Sequence, residues 1–318
     1  MRIIFMGSSE FACPALELIL KTGRDEVVAV VSQPERPSGR RRRTKKCPVD
    51  EFVSRASIRT LTPENVNAPE SIAALRALAP ELIVVVAYGQ ILKSSLLKLP
   101  PQGCVNLHGS RLPQYRGAAP IQWAIARGER MTGVTTMFIN EKMDGGDIIL
   151  RAEERIAPDD TALSLSRRLA EKGAELLLES LAQIRDGRAP RIKQDESEVS
   201  YAPRLKKTDG RVDWIMPAKE LSDRIRGFQP WPCCYFTLQA ETARLASGAA
   251  TVKILRARVE PGGGAEPGAV LETCGAGPLI QTGSGALRLL EVQPEGRKPM
   301  EGKAFLCGGK ISRGEILA

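Results

Sequence analysis

The side chains best suited to chemistry in this sequence are an asparagine and a histidine two residues apart, Asn106 and His108. His108 is the only histidine of the 318-residue chain, and it stands where the apolar run Gly103–Leu107 meets a Gly/Pro-rich segment. Histidine titrates near neutral pH, so it is the side chain most often used to move protons. Residues two apart on an extended strand face the same side, so the amide and the imidazole are predicted to point in one direction.

A carboxylate that could join this pair is Asp144, which lies in the glycine-rich turn Glu141–Gly146. An amide donor, an imidazole and a carboxylate suit acyl transfer, because one well-placed amide stabilises an oxyanion by roughly 3–4 kcal/mol. The imidazole and the carboxylate can take the proton of an attacking amine. No serine or cysteine lies in a nucleophile-elbow pattern, so we expect direct transfer without a covalent intermediate. Taken singly, His108 also fits a packed histidine and Asp144 a simple turn carboxylate.

Strand and helix signals alternate along the first half of the chain. The buried-strand runs are Ile3–Met6, Val27–Ser32, Leu82–Ala87 and Gly103–Leu107, and the helical stretches are Glu10–Thr22, Pro69–Leu78 and Thr161–Arg185. This alternation predicts an α/β fold with a mostly parallel sheet covered on both faces. The run Gly103–Leu107 then brings His108 to the carboxyl edge of the sheet, where open α/β sheets bind ligands.

The rest of the sequence predicts a second, different domain. Thr132–Asn140 and Asp147–Ile156 read as strands on either side of the turn that contains Asp144. We expect a first domain over residues 1–187, a polar linker over 188–205 and a second domain over 206–318. The second domain has short apolar runs split by Gly and Pro, which favours a small β-barrel over another α/β unit. These runs are Ala269–Leu271, Leu279–Gln281 and Leu287–Val292.

The positive charge of the chain is concentrated in one segment. The formal net charge is +9, and Pro34–Lys46 alone holds seven basic residues and one acidic residue. A basic excess gathered in one loop is typical of proteins that bind a polyanion such as a nucleic acid. A solvated charge run with no partner is the alternative. Aromatic residues make up 4% of the chain, so a base-stacking platform is not expected to dominate recognition.

Composition also argues against two other classes of protein. No apolar run reaches the roughly 18 residues that a membrane span needs, so we expect no membrane-spanning segment. The seven cysteines are scattered without a C-x-x-C pair, and a single histidine cannot complete an ordinary zinc set. The cysteines are therefore expected to be reduced thiols of a bacterial-type cytosol, and no metal is expected.

Long motifs in this chain resemble those of one enzyme family. Asn106–Pro113 and Tyr115–Gln122 are similar to the signature of the 10-formyltetrahydrofolate-dependent formyltransferases. The similarity extends to Val85–Gly89, to Met143–Ile148 around Asp144, and to Ile225–Pro232 in the second half. Several motifs in the same order cover essentially the whole chain, so the resemblance is specific.

The resemblance implies a Rossmann-like formyltransferase domain, followed by a C-terminal barrel of the OB type that holds tRNA. It implies formyl transfer from 10-formyltetrahydrofolate to the α-amine of methionyl initiator tRNA, in a bacterial cytoplasm, by a protein taken to be a monomer. Family roles carry over to Asn106, His108 and Asp144 as the catalytic set. The folate contact carries over to Ser110, Arg111, Leu112 and Pro113, and the acceptor-stem contact to Arg40, Arg41, Arg42, Arg43, Lys45 and Lys46.

One further candidate for the folate pocket is Tyr88, which follows a central strand at the same sheet edge as His108. It could line the pocket or only cap the strand. Two positions depart from the family pattern. Arg111 stands where the family usually has leucine, and the four consecutive arginines Arg40–Arg43 exceed the usual charge of the loop.

Two other functions suit the same three catalytic candidates. One is formyl transfer to an amino sugar or hydrolysis of the formyl donor, which would still be enzymatic. The other is a non-catalytic basic RNA-binding protein built on the same scaffold. The basic loop and the second domain, whose residues 206–318 carry a net charge of +4, favour tRNA as the acceptor, because neither a sugar nor water requires them. The presence of Asn106, His108 and Asp144 favours an enzyme.

Overall fold

A computed structural model of the protein describes residues 1–38, 43–54, 58–238, 250–308 and 311–317. The chain forms two compact units. The first comprises Met1–Pro120, Met131–Arg155 and Ser166–Pro203, and the second comprises Ile121–Arg130, Ile156–Leu165 and Arg204–Ala318.

The first unit is built on a seven-stranded sheet. Its strands are β1 (Arg2–Gly7), β2 (Glu26–Val31), β5 (Thr60–Leu61), β6 (Leu82–Val86), β7 (Cys104–His108), β8 (Met131–Phe138) and β9 (Ile148–Arg155). The strand order is β5-β2-β1-β6-β7-β8-β9, and the first five strands run parallel. β8 and β9 add to this sheet in antiparallel orientation. The mixed α/β fold with a sheet rich in parallel strands is therefore confirmed.

The parallel part of the sheet is buried on both faces, as its sequence predicts. All five residues of β6 are buried, and they are the apolar β-branched or leucine side chains typical of a central parallel strand. Helices α1 (Cys13–Thr22), α2 (Pro48–Val53), α3 (Pro69–Arg76) and α4 (Ser94–Leu97) connect these strands, and α6 (Ala162–Arg185) follows β9. Among the helices of the described ranges, none is long and apolar enough to cross a membrane.

The parallel strands end together at the edge where the candidate site lies. β6 ends at Val86, and Ala87 then turns with φ 45° before Tyr88. β7 ends at His108, which is paired with Thr135 of β8. The turn that contains Asp144 connects β8 to β9, and it leaves β8 at Phe138, which is paired with Val105 at the start of β7. The Asp144 turn therefore begins at the opposite end of β7 from His108, and the two side chains meet beside this strand.

The basic segment contains a short antiparallel hairpin. Its strands are β3 (Arg36–Ser38) and β4 (Arg43–Lys45), with Arg36 paired to Lys45 and Ser38 to Arg43. Helix α2 begins directly after it, and its first turn is capped by the Cys47 sulfur, which accepts a hydrogen bond from the Asp50 amide at 3.4 Å.

The second unit contains a separate antiparallel sheet. Its strands are β10 (Cys234–Leu238), β11 (Ala250–Glu260), β12 (Val270–Glu272), β13 (Leu279–Gln281), β14 (Ala286–Pro294) and β15 (Met300–Glu301). The order is β10-β11-β14-β13-β12, with β15 paired to β14. In the described part of this unit, three α-helices accompany the sheet: α5 (Pro120–Ala126), α7 (Ala218–Gly227) and α8 (Gly302–Cys307). α5 packs on the end of α7 through Trp123 and Phe228, whose rings meet edge-to-face at 5.3 Å. The OB type of this unit stays a prediction.

Candidate active site

His108 is held in a defined orientation at the end of β7. The side chain is 6% exposed, and its Nε2 lies 3.0 Å from the carbonyl oxygen of Tyr115. A carbonyl oxygen can only accept, so this hydrogen bond requires the proton to be on Nε2. In the neutral imidazole, Nδ1 then carries the lone pair and is the atom that can take a proton.

Asp144 lies opposite that free nitrogen. Its Oδ2 is 3.7 Å from His108 Nδ1, and the same oxygen accepts a 2.8 Å hydrogen bond from the Gly117 amide. Asp144 has φ 48°, a left-handed conformation that aspartate tolerates better than most residues. Gly117 has φ 125°, and a Cβ there would lie 2.5 Å from the Ala202 carbonyl oxygen. Glycine is therefore required where the main chain approaches Asp144.

Asn106 lies on the same strand two residues before His108. It is half-buried, and it is paired with Val85 of β6 and Met137 of β8. The alternation of β7 puts Asn106 and His108 on the same face. The structure thus brings His108 and Asp144 together directly and places Asn106 on the adjacent position of the same strand face.

Two cysteines of this unit, Cys13 and Cys104, are poor candidates for a nucleophile. Burial raises the pKa of the Cys104 thiol to about 12 and that of Cys13 to about 11, so both stay protonated at neutral pH. Among the described residues, no group of three or more His, Cys, Asp or Glu side chains is arranged to hold a metal ion.

The segment after His108 is tied to the sheet by one threonine. The Thr135 hydroxyl donates to the Ser110 carbonyl oxygen at 2.7 Å and accepts from the Leu112 amide at 3.1 Å. Ser110 is fully buried, and its hydroxyl donates to the Gln114 carbonyl oxygen at 2.6 Å. Leu112 and Pro113 are buried as well. The predicted folate-contact residues therefore form a compact, internally bonded loop beside His108.

Arg111, which replaces the usual leucine of the family, points away from this buried loop. Its guanidinium pairs with Glu153 of β9 at 2.9 Å, and its side chain is 41% exposed. Gly133 of β8 makes room for it, since a Cβ there would lie 2.8 Å from Arg111 Cγ. The departure therefore adds an ion pair on the outside of the sheet and leaves the packing of Leu112 intact.

Tyr88 is part of the hydrophobic core next to the site. The residue is 2% exposed and packs with Val85, Leu92 and Leu96. Burial raises the pKa of the phenol to about 12. Among the described residues, its hydroxyl is one of four buried side-chain polar atoms without a hydrogen-bond partner. The Tyr88 carbonyl oxygen accepts from the Ser8 hydroxyl at 2.9 Å, which links this position to the end of β1.

A buried arginine beside the site is a feature that the sequence reasoning missed. Arg116 is 3% exposed, and its Nε and Nη2 atoms donate to Gln194 Oε1 at 3.1 and 2.8 Å. It also pairs with Glu196 at 3.2 Å, and this hydrogen bond lowers the pKa of the Glu196 carboxyl. Arg116 belongs to the motif that carries the family resemblance, so it could have been chosen. Gln194 and Glu196 lie in a polar stretch that carries no such signal.

The predicted tRNA contacts of the basic segment are only partly within the described structure. Arg40, Arg41 and Arg42 lie outside the described residues. The backbones of Arg43 and Lys45 form β4 of the short hairpin. Lys46 is half exposed, and its ammonium group lies 3.7 Å from Asp50 of α2.

This fold and this pair of facing proton-transfer groups define a class of enzyme that family comparison identifies. Residues 1–181 match the family described as formyl transferase, and residues 204–310 match the formyl transferase C-terminal domain. The chain belongs to the formyl transferase family.

Similar proteins narrow the class further. A methionyl-tRNA formyltransferase of Geobacter sulfurreducens is 44% identical over 317 residues, which cover 100% of this chain and 96% of that protein. The methionyl-tRNA formyltransferase of Acetivibrio thermocellus is 41% identical over 317 residues, covering 100% of this chain and 99% of that protein. The chain is therefore similar to these enzymes along its whole length, across both units.

Solved structures with the same fold are more distant in sequence. The sugar 3N-formyltransferase WlaRD has a TM-score of 0.65 at 19% identity, over 94% of this chain and 99% of that one. HypX from Aquifex aeolicus, in complex with tetrahydrofolic acid, has a TM-score of 0.63 at 19% identity, over 96% of this chain and 47% of that one. At this identity the likeness supports the fold alone.

Proposed function

We propose that this protein transfers the formyl group of 10-formyltetrahydrofolate to the α-amine of methionyl initiator tRNA. The observation that carries the proposal is the full-length similarity to methionyl-tRNA formyltransferases, at 44% identity over 100% of the chain. The similarity extends over both units of the chain.

The geometry around His108 supplies the proton transfer that this reaction requires. The amine nitrogen bonds to the formyl carbon, the carbonyl electrons move to oxygen, and the bond from carbon to N10 of the folate then breaks. The amine must lose a proton, and N10 must gain one. We assign His108 Nδ1 as the acceptor of that proton, since Nε2 is already bonded to Tyr115. The Asp144 carboxylate at 3.7 Å stabilises the imidazolium that results.

Asn106 is assigned to the oxyanion of the tetrahedral intermediate. It lies on the strand face that carries His108, so its amide and the imidazole can address the same carbon centre from adjacent positions. A single donor of this kind stabilises the intermediate by roughly 3–4 kcal/mol. Direct transfer fits these residues, because each acts on the amine or on the carbonyl oxygen and none forms a bond to carbon.

The folate is proposed to bind along Ser110–Pro113 and beside Tyr88. Thr135 fixes the backbone of this loop, and Ser110, Leu112 and Pro113 are buried, so the loop offers a rigid wall beside His108. The buried Tyr88 hydroxyl without a partner is a donor that a polar group of the ligand could satisfy. Arg111 contributes through its backbone only, since its guanidinium pairs with Glu153.

The tRNA is proposed to contact the basic segment, Arg40–Arg43 with Lys45 and Lys46, and the second unit. Seven basic residues in Pro34–Lys46 provide the phosphate contacts, and they supply affinity that does not depend on sequence. We propose that the antiparallel sheet of the second unit is a barrel of the OB type, a fold often used to hold nucleic acids. We propose further that the protein acts as a monomer and uses no metal. Its proposed location is the bacterial cytoplasm, where charged tRNA is present.

Formyl transfer to an amino sugar is the second candidate, because the sugar formyltransferase WlaRD shares the fold with a TM-score of 0.65. The test is to follow labelled formyl from 10-formyltetrahydrofolate in the presence of methionyl initiator tRNA, of sugar nucleotides with a free amine, or of water alone. Label on the methionine of the tRNA supports the proposal. Label on the sugar, or formate released without any tRNA product, overturns it.

A further inference from the structure

An extended segment after α6 passes along the outside of the candidate site. Residues 190–203, here called the strap, belong to the first unit. The strap pairs with β9 at its start, where Ile192 and Ile148 exchange hydrogen bonds of 2.8 and 3.0 Å. At its end, Arg116 exchanges backbone hydrogen bonds with Ser200 and Ala202, at 2.8 and 2.7 Å. The strap therefore contacts both the Asp144 turn and the loop that follows His108.

Gln194 of the strap holds the turn that presents Asp144. Its amide nitrogen donates to the carbonyl oxygens of Asp144 and Gly146, both at 2.8 Å. Its amide oxygen accepts from the buried Arg116. The turn needs this support, because Asp144 adopts φ 48° and a Cβ at Gly146 would lie 1.6 Å from the Phe138 carbonyl oxygen. The oxygen and the nitrogen of the Gln194 amide therefore both help to fix the conformation of the Asp144 turn.

Ser200 of the strap holds the other partner of His108. Its hydroxyl accepts a 3.0 Å hydrogen bond from the Tyr115 amide. Tyr115 has φ 61°, a conformation that bulky residues rarely adopt without support. The Tyr115 carbonyl oxygen is the acceptor for His108 Nε2, so its direction decides which imidazole nitrogen keeps the proton.

We infer that Gln194 and Ser200 are positioning residues that fix the two opposite partners of the His108 imidazole. Ser200 acts through Tyr115 on Nε2, and Gln194 acts through Asp144 on Nδ1. The inference rests on the proposed function, since it assigns Nδ1 as the proton acceptor. A group that accepts a proton in the transition state must be held in place before the reaction, and a displacement of about 1 Å can cost about a hundredfold in rate.

Gln194→Glu is the sharpest single change. A carboxylate keeps the acceptor for Arg116 and adds charge complementarity, so the buried guanidinium stays paired and the chain is expected to fold. It removes the two donors to the Asp144 turn and sets a negative charge against two carbonyl oxygens. We expect kcat to fall about 10- to 100-fold, with KM for folate and for tRNA unchanged within about threefold.

A double-mutant cycle separates positioning from general structural damage. In an Asp144→Asn background, Gln194→Glu should cost less than about threefold in kcat, because the group that it positions is already impaired. An equal loss in both backgrounds, or a loss confined to KM, overturns the assignment. Ser197→Ala is the matched control, since Ser197 lies on the strap and its hydrogen bonds within the described part of the chain go to Asp195. It should leave kcat unchanged.

The single histidine allows a second measurement that needs no substrate. The imidazole nitrogen signals of a ¹⁵N-histidine-labelled protein belong to His108 without any assignment. Gln194→Glu and Ser200→Ala should shift these signals, whereas Ser197→Ala and the conservative Ser200→Thr should leave them near the wild-type positions. Unmoved signals in both Gln194→Glu and Ser200→Ala overturn the inference.

The two readouts also distinguish this inference from the proposed function. If the wild-type protein does not formylate methionyl-tRNA but the imidazole signals move as expected, the proposed function fails and the positioning stands. If the wild-type protein is active and Gln194→Glu changes neither kcat nor the signals, the proposed function stands and the positioning fails.

Discussion

Each of the two units contains one buried arginine among its described residues, and the two are used differently. Arg116 of the first unit is 3% exposed, and Arg288 of the second is 8% exposed. Both guanidinium groups make several hydrogen bonds, as burial of a charge requires. Their partners, however, belong to different kinds of structure.

Arg288 is locked within a sheet. It lies on β14 and pairs with Glu260 of β11 at 2.8 Å and with Glu272 of β12 at 2.7 Å. It also donates to the Gly277 carbonyl oxygen at 3.0 Å. The hydrogen bond from Arg288 lowers the pKa of Glu260 to about 2, and the two carboxylates raise the pKa of the guanidinium. Two full negative charges surround it, so its role is to connect strands.

Arg116 instead supports a functional turn. Its first partner is the neutral amide of Gln194, and its one carboxylate partner, Glu196, has a side chain that is 61% exposed. An amide has a donor end as well as an acceptor end, so Gln194 can bond onward to the Asp144 turn. Arg116 supports the site because its partner Gln194 also donates hydrogen bonds to the Asp144 turn. Arg288 supports the fold because its two carboxylate partners can only accept hydrogen bonds.

The largest expected effect comes from removing the imidazole of His108, whose partner Asp144 lies in the turn that Arg116 supports through Gln194. His108→Ala should lower kcat by roughly 10²–10⁴-fold, the usual size of general acid–base effects, because no other described side chain offers a nitrogen base opposite Asp144. Steady-state kinetics with methionyl initiator tRNA measures it, and circular dichroism checks the fold. A rate within threefold of wild type would remove His108 from the mechanism.

Exchanging each buried arginine for methionine tests the comparison itself. Arg288→Met should destabilise the protein by about 2 kcal/mol, below the 3–5 kcal/mol of a fully buried pair because Glu272 is half exposed. Its kcat should stay within about threefold of wild type. Arg116→Met should lower kcat about tenfold, since Gln194 loses its anchor. Urea unfolding and single-turnover kinetics on both variants measure these effects. A similar loss of kcat in both variants would contradict the different roles assigned to Arg116 and Arg288.

The arginines of the basic segment offer a third contrast, because they are expected to act on tRNA affinity and not on stability or rate. Replacing Arg40–Arg43 by alanine should raise KM for tRNA about tenfold and leave KM for folate unchanged. It should also flatten the salt dependence of tRNA binding, by about one unit of slope for each lost phosphate contact. Binding titrations over a range of salt concentrations measure the slope. An unaltered slope would show that these arginines make no phosphate contacts with the tRNA.

The smallest expected effect concerns acid stability. The pKa of Glu260 is held below its ordinary value of 4.5, mainly by the hydrogen bond from Arg288. A lowered folded-state pKa contributes stability at higher pH, and that stability is lost as the pH falls from about 4.5 to about 2. Glu260→Gln should therefore reduce the loss of unfolding free energy in this window. Glu196→Gln, the equivalent change on the Arg116 side, should alter it less because Glu196 is mostly exposed. Urea unfolding at pH 6, 4 and 3 compares them.

The elements of the first unit could be predicted well from the sequence, and those of the second less well. The apolar runs at Ile3–Met6 and Leu82–Ala87 became β1 and β6, because a strand buried on both faces leaves a continuous local pattern. The long strand β11, Ala250–Glu260, was not predicted. Register shifts at Arg256 break its alternation, and exposed charged residues follow, so its pattern resembles a polar loop.

The candidate site was predictable where its residues lie in one motif. Asn106, His108 and the proposed folate-contact loop follow one another closely in the chain, and Asp144 stands in a recognisable glycine-rich turn. Gln194 and Ser200 were not found, because their stretch has the polar, proline-containing composition of a linker. Their importance arises from hydrogen bonds to residues 50 and 85 positions away in the sequence.

The sequence by itself determined which residues carry the chemistry and which strand presents them, because strand patterning and turn composition are local properties of the chain. Only the tertiary structure decided how the chemistry is oriented. It placed the Tyr115 carbonyl on Nε2 and Asp144 opposite Nδ1, and so left Nδ1 as the imidazole nitrogen that is available to accept a proton. That choice depends on hydrogen-bond directions among segments distant in sequence, and such directions exist only once the chain has packed.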